Sequence, residues 1–390
     1  MMGHVRNSFV MDSDIDLDDL DARHHEVLAT LRDRSPVTWV EVIGGWVVTG
    51  RDAAVAVMRD PERFTVDDPR FSTAQVVGPS MLSLDGPAQQ RHRDPFAAAF
   101  RPSEVARRHD EAVPMLARLI VAELAPQGEA ELRRELAGPL AVAVVARSLG
   151  LDQLDPVLLL GWYDRIVGAV DDISFGRPVD PAAWEAFGLL GAALDESVRR
   201  PDSVLLGAAD ELTRDEVVSN AAVFLFGGIE TSEGMTANAL RHLLMHPETL
   251  DAARDDRSLV DAAVEESLRL EPAAARVDRY ATVDVQIGGA HIRSGDLVVV
   301  SLAGANRDPA VYDSPDEFRL DREHLRTHVA FAQGPHACIG AQLARMETRA
   351  AIEAVLDGLP DIELAEPSAV AGTIFRKPVE LRVRWSPPAG

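Results

Sequence analysis

The feature that most constrains this chain is one long helical pattern, running from about Asp215 to His246. Thr213 and Glu216 stand at capping-box spacing, where hydroxyl and carboxylate each satisfy a backbone N–H at the helix start. Pro247 follows the pattern and stops it. At ~1.5 Å per residue such a helix is nearly 50 Å long. Helices of that length usually belong to coiled coils or membranes, but this one has no sustained heptad and no full apolar span. A helix crossing the whole molecule fits better.

Shorter helical patterns cover Glu104–Leu124, Glu131–Leu149, Pro181–Val198 and Leu259–Leu270. Strand signals are sparse and peripheral. Pro36–Gly50 reads as a hairpin about Gly44-Gly45, Val283–Leu302 as a β region with turns at Gly288-Gly289 and Ser294–Asp296, and Glu380–Trp385 as a last strand. The expected class is mainly α with small sheets. No repeat and no composition break divides the chain, so residues 1–390 read as a single domain.

The first twenty residues carry Asp12, Asp14, Asp16, Asp18 and Asp19 and neither an apolar nor a basic targeting region. They read as a poorly ordered acidic segment, not a signal peptide. The longest apolar runs, Leu140–Ala146 and Ala221–Phe226, fall far short of the ~18–20 residues of a membrane span. The formal net charge of −24 repels nucleic acid and anionic lipid. The reading is a cytoplasmic, monomeric protein with no membrane or nucleic-acid partner. Lys377 is the one lysine, which we ascribe to codon bias.

The chain has one cysteine, Cys338. It cannot form an internal disulfide, and a lone cysteine is most often an inert core residue. Its surroundings argue otherwise. The segment Phe331-Ala332-Gln333-Gly334-Pro335-His336-Ala337-Cys338-Ile339-Gly340 leads straight into a helical pattern at Ile339, Leu343, Met346, Ile352 and Val355. A helix N-terminus offers free N–H groups and a positive dipole end, which favour a thiolate. Gly334 permits a tight turn, and Gly340 permits close approach of a flat cofactor.

With these residues the chain resembles the cytochrome P-450 family of haem-thiolate monooxygenases. Phe331, Gly334, His336, Cys338, Gly340, Leu343, Ala344, Arg345 and Glu347 all match the family's cysteine motif. Ala332, where glycine is commoner, departs from it. The resemblance implies a fold of a dozen or more helices around a buried haem b, with Cys338 as the iron ligand. An axial thiolate pushes electron density onto iron and favours O–O cleavage.

The long helix contains Ala221–Ser232, with Gly227-Gly228-Ile229-Glu230-Thr231 inside it. Two helix glycines cost ~1 kcal/mol each relative to alanine. Taken alone they mark a kink. The segment also resembles the family's [A/G]-G-x-[D/E]-T motif, which implies that Gly228 borders the haem and that Glu230 and Thr231 relay protons to dioxygen. Glu266-Ser267-Leu268-Arg269 resembles the family's E-x-x-R, and Arg322 follows in its partner stretch. The three are expected to form a buried structural set. By the same resemblance Arg93, Arg279 and His336 bind the propionates. Gln89 replaces the usual histidine of the Arg93 motif and carries no charge. Val223, Phe226 and Ile374 are expected to line the substrate pocket, with the 71–84 loop, the 158–190 helices, and residues 273–277 and 375.

The chain has no reductase segment, nucleotide-binding glycine loop, H-E-x-x-H or G-x-S-x-G. The expected partners are O2, a hydrophobic or mixed small-molecule substrate, and a separate ferredoxin with its reductase. Such redox partners are typically acidic, so a local basic patch is needed, and Arg101, Arg107, Arg108 and Arg345 are candidates. The expected reaction is hydroxylation or epoxidation, plausible in secondary metabolism. The alternatives are oxidative coupling or ring closure by the same chemistry, and a non-enzymatic haem-thiolate sensor, which would not need Glu230 and Thr231.

Overall fold

The computed structural model describes residues 11–12, 15–174, 176–200 and 203–387, with backbone alone at 11, 12 and 171. Among the described residues it has fifteen α-helices and small sheets, the mainly α class that the sequence predicts. The helices that carry the site are α1 (Gly86–Ala97), α2 (Gly138–Leu149), α3 (Pro156–Ser174), α4 (Arg214–Met245), α5 (Leu259–Leu270) and α6 (Ala341–Gly358). No helix among these residues is long and apolar enough to cross a membrane.

One compact unit comprises Met1–Val66, Glu265–Cys338 and Ala371–Arg376. Its strands are β1 (Met11–Asp12), β2 (Val37–Val40), β3 (Gly45–Val48), β4 (Phe64–Thr65), β5 (Arg276–Ala281) and β6 (Leu297–Ser301). They form one sheet in the order β1-β2-β3-β6-β5-β4. The predicted hairpin is β2–β3, with Trp39 opposite Trp46. Strand side chains alternate between faces, and both faces are covered here. Val48, Val298 and Val300 join a core with Phe64, Met58 and Val329. Val47 and Val299 join another with Leu28 and Leu31. Of the acidic stretch 1–20, residues 1–10 and 13–14 lie outside the described residues. In the rest, β1 pairs with β2, and Asp16 caps a helix over Leu17–Ala22 by accepting from the Asp19 N–H at 2.7 Å.

The other unit comprises Asp67–Val264, Ile339–Val370 and Lys377–Gly390. The long helix runs through it as α4, 32 residues bounded within one residue of expectation. Thr213 and Glu216 form the capping box, with Glu216 accepting from the Thr213 N–H at 2.9 Å. Residues 234–240 of α4 are buried without a break. Leu225 and Ile229 pack with Phe96, Val145, Leu159, Trp162 and Leu190. The last predicted strand, Arg382–Arg384, lies between Glu129–Glu131 and Glu363–Leu364.

Two predicted helices are divided, each at a proline. Glu104–Leu124 is two helices, Pro102–His109 and Ala112–Leu124. Pro114 offers no N–H, and its ring excludes the carbonyl of Asp110, so the helix restarts. Glu131–Leu149 begins as a strand and passes through a π turn at Arg133–Ala137 before α2. Pro139 excludes a normal bond to Glu135, and the wider spacing lets the Gly138 N–H reach the Arg133 carbonyl.

Candidate active site

The cysteine loop belongs to the sheet-bearing unit. The Cys338 N–H donates to the Phe331 carbonyl at 2.8 Å, and the Ala337 N–H to the Gly334 carbonyl at 3.0 Å. These bonds close the loop over a single turn at Gly334–His336. Gly334 has φ +74°, and a Cβ there would lie 2.5 Å from the Met58 carbonyl oxygen. Only glycine lets the loop rest on Met58 and Arg59. Arg59 also donates to Gln333 at 2.9 Å. The Cys338 side chain is exposed, not packed into a core. Phe331 is half-buried with its ring centroid 6.3 Å from that of His328. Gly340 is the N-cap of α6 with φ −84°, an ordinary backbone value. Ala332, the departure from the family pattern, has φ +56°. The left-handed region costs a non-glycine residue ~1–2 kcal/mol.

Arg279 is buried on β5 and donates to the Asp278 carbonyl at 2.8 Å. His336 is half-buried on the turn before Cys338. Glu266, Arg269 and Arg322 come together as expected. Arg269 grips Glu266 through two bonds of 2.8 Å, and Arg322 adds a third of 2.8 Å. Glu266 and Arg269 are wholly buried. Further N–H groups of Arg269 reach the carbonyls of Asn306, Pro315 and Glu317, so each charge and donor is engaged. Two expected pocket segments lie side by side. The Ala275 N–H donates to the Ile374 carbonyl and the Arg376 N–H to the Ala273 carbonyl, both at 2.8 Å.

In the helical unit, Val223, Phe226, Gly227, Glu230 and Thr231 are partly exposed along α4 and recur at three- and four-residue spacing. The glycines differ. Nothing lies within 4 Å of a Cβ at Gly227, whereas one at Gly228 would strike Val145 of α2. Gly228, expected to border the haem, is turned toward a neighbouring helix, and Gly227 has the open side.

Thr231 donates its hydroxyl to the Gly227 carbonyl one turn back. Glu230 does not bond Thr231, because adjacent helix residues point some 100° apart. Its carboxylate is held elsewhere, by the Tyr163 hydroxyl of α3 and by the Lys377 ammonium at 2.8 Å. Lys377 also pairs with Glu233 at 3.0 Å, and Glu233 with Arg133 at 2.9 Å. Burial, with the Glu230 charge beside it, pushes the Tyr163 phenol far above its usual range, so it keeps its proton and donates. Sequence reasoning missed this cluster. Tyr163 lies in a helix with no motif, and Lys377 is distinguished only by being alone.

Glu347 was visible only as a motif match. It is wholly buried on α6 beside Ser232 of α4, and burial raises its carboxyl from 4.5 to about 8. Arg93 is half-buried on α1, one turn beyond the buried Gln89 and on the same face. Of the arginines expected to greet a redox partner, Arg107 is bound to Glu104 at 2.8 Å and Arg108 lies 3.8 Å from the same carboxylate. Glu104 therefore cancels part of that patch.

The donor set suits a haem. An accessible sulfur on a pinned loop can ligate iron, and guanidinium and imidazole groups can meet propionates. The family model described as Cytochrome P450 matches residues 202–358. Cytochrome P450 monooxygenase PikC of Streptomyces venezuelae is 34% identical over 365 residues, covering 89% of this chain and 86% of that protein. Nocardicin C N-oxygenase of Nocardia uniformis subsp. tsuyamanensis is 34% identical over 386 residues, 93% of this chain and 95% of that one. Among solved structures, the cytochrome P450 enzyme CxnD for C–S bond formation in chuangxinmycin biosynthesis matches with a TM-score of 0.84 at 27% identity, over 99% of this chain and all of that one. Fold, cysteine loop and similarity along nearly the whole length agree, and the chain belongs to the cytochrome P450 family as a bacterial-type haem-thiolate monooxygenase, an oxidoreductase that incorporates oxygen.

Proposed function

We propose that this monooxygenase oxidises a hydrophobic or mixed small molecule in secondary metabolism, taking electrons from a separate ferredoxin and its reductase. The observation that carries the chemistry is the exposed sulfur of the one cysteine on a loop pinned by Gly334. The activity named for one relative, nocardicin C N-oxygenase, and the biosynthetic role named for the structural match CxnD support the setting.

In this reading Cys338 holds the iron of haem b, Arg93, Arg279 and His336 hold the propionates, and Phe331 and Gly340 border the macrocycle. Bound there, the haem activates O2 so that one oxygen atom enters the substrate. Val223, Phe226 and Ile374 face the substrate and exclude water from it. Gly227, with its open side, takes the bordering role first given to Gly228.

In the same reading, Tyr163, Glu230 and Thr231 make the proton path. Tyr163 donates to Glu230, so the carboxylate is oriented at one end. Glu230 and Thr231 do not touch, so a proton passes between them through water or after a side-chain rotation. The Thr231 hydroxyl then delivers it, exchanging its bond to the Gly227 carbonyl for one to the reacting oxygen. We propose further that the chain works as a cytoplasmic monomer and that residues 1–390 are a single domain.

Substrate-dependent O2 consumption with ferredoxin and reductase tests the reading, with product mass as second readout. Added oxygen in the product supports hydroxylation or epoxidation. Loss of two hydrogens without added oxygen supports ring closure or coupling, the second reading, which the structural match to an enzyme of C–S bond formation favours. No substrate-dependent consumption with any compound that shifts the haem spectrum would overturn both.

A further inference from the structure

We propose that Lys377 is the positioning residue for Glu230, holding one carboxylate oxygen while Tyr163 holds the other and sharing its ammonium with Glu233. The inference rests on the reading of Glu230 as the acid that passes protons to Thr231.

The geometry is specific. Glu230 and Glu233 are three residues apart on α4, so their side chains share one face and their like charges repel. Lys377 meets both, at 2.8 and 3.0 Å, and Arg133 meets Glu233 from its other side at 2.9 Å. The Lys377, Glu230 and Glu233 side chains are 20%, 14% and 12% exposed. At that burial an ion pair is poorly screened and its loss is felt. Tyr163 and Asp164 of α3 complete the charged and titratable groups facing Glu230, and burial raises the Asp164 carboxyl. Glu230 and Glu233 are thus matched by Lys377 and Arg133, with the Asp164 carboxyl as a third acid beside them.

The residue type matters. The remaining 38 of the 39 basic side chains are arginine, yet this position has the lysine. A guanidinium is a flat fork suited to one carboxylate edge, whereas an ammonium is a compact charge with three donors. Two carboxylates one helical turn apart suit the ammonium. A composition bias explains the scarcity of lysine, but it does not explain a cation placed between the proposed proton donor and its neighbour.

The consequence concerns where Glu230 stands during turnover. Both its oxygens are anchored by groups other than Thr231, so Lys377 sets the position from which a proton is handed on. Without Lys377, Glu230 and Glu233 repel and Glu230 departs from that position. A misplacement of order 1 Å can cost on the order of a hundredfold in a chemical step. For Lys377→Met we expect a loss of about tenfold in product formed per O2 consumed, with KM unchanged, since water still reaches the site. Lys377→Arg keeps the charge but offers a flat fork to two carboxylates, and is expected to recover only part of the loss.

Because Lys377 is the one lysine, reductive methylation with 13C-formaldehyde gives a single side-chain signal besides the α-amine. It can be followed in the reduced, carbon-monoxide-bound holoenzyme, which is diamagnetic. The signal is expected to shift in both Glu230→Gln and Glu233→Gln and to stay put in Glu366→Gln, a change at an exposed glutamate paired with Arg382. This measurement keeps the positive charge at Lys377 and needs no substitution there, and so decides even if Lys377→Met fails to fold. A signal unmoved by Glu230→Gln, with Glu230→Gln lowering product per O2 and Lys377→Met leaving it intact, overturns the Lys377 proposal alone. Unchanged product per O2 in Glu230→Gln removes the reading of Glu230 as proton donor, and the proposal with it.

Discussion

The cysteine loop and the acidic stretch of α4, to which the proposed function gives different tasks, are built in different ways. The loop is held by its own backbone: a Phe331–Cys338 bond, a turn, and a glycine against Met58. Its key residues are neighbours in sequence. The α4 stretch is held by side chains from elsewhere, with Tyr163, Lys377 and Arg133 converging on Glu230 and Glu233. A site built from local backbone rules is rigid and readable, whereas one built from ion pairs is adjustable and hidden until the chain folds.

The largest expected effect tests the loop. Cys338→His is expected to abolish the long-wavelength absorption band of the reduced, carbon-monoxide-bound protein, which depends on thiolate ligation. A band that survives would break the comparison at its first term, since the loop would then carry no ligand.

Next in size is the buried set that supports the loop's unit. Arg269→Ala leaves Glu266 buried and answered only by Arg322 and backbone. Breaking a buried pair by removing one partner costs about 3–5 kcal/mol. Urea denaturation followed by circular dichroism is the measurement. A loss under 1 kcal/mol would show that the set is dispensable to stability.

These two cases show what was legible. The cysteine motif, the α4 caps and the E-x-x-R spacing are local patterns with fixed offsets, so residue order alone locates them. Arg322 lies 53 residues beyond Arg269 and was found only through the family pattern. Lys377 lies 147 residues beyond Glu230 and belongs to no motif, so nothing in the sequence joins the two. Gly227 and Gly228 look equivalent as letters. Only the packing of Val145 separates them. The divided helices were in principle readable, because Pro114 and Pro139 stand in plain view. The apolar periodicity on either side obscured them.

The α4 side is sharpened by pH. Glu347, wholly buried against Ser232, has its carboxyl raised from 4.5 to about 8 by burial. As pH rises past 4.5 the unfolded chain loses this proton first, while the folded protein keeps it. The unfolded state is therefore favoured progressively between about pH 4.5 and 8, and the effect levels off above. Glu347→Gln removes this contribution. Relative to the Gln variant, the wild type is expected to lose on the order of 3 kcal/mol between pH 5 and 8 in urea denaturation. Parallel pH profiles would show that Glu347 ionises normally, and that α4 and α6 do not enclose a neutral acid.

The smallest effect returns to the loop and asks whether its backbone rules are fully obeyed. Ala332 sits at φ +56°, where its Cβ is unfavourable by ~1–2 kcal/mol. Glycine adopts this conformation freely but loses more chain entropy on folding, worth roughly 0.5–1 kcal/mol against alanine. The two terms oppose, and relief of strain is the larger. Ala332→Gly is therefore expected to stabilise the protein by about 0.5–1 kcal/mol, read as a higher urea midpoint with an unchanged slope. The thiolate band should keep its position, because Ala332 is a partner in neither the Phe331–Cys338 bond nor the Gly334–His336 turn. A destabilised variant would mean that the Ala332 methyl, packed against the Phe64 and Val329 core, contributes more than the strain it carries. The loop would then depend on tertiary packing as the α4 side does, and the contrast between the two regions would narrow.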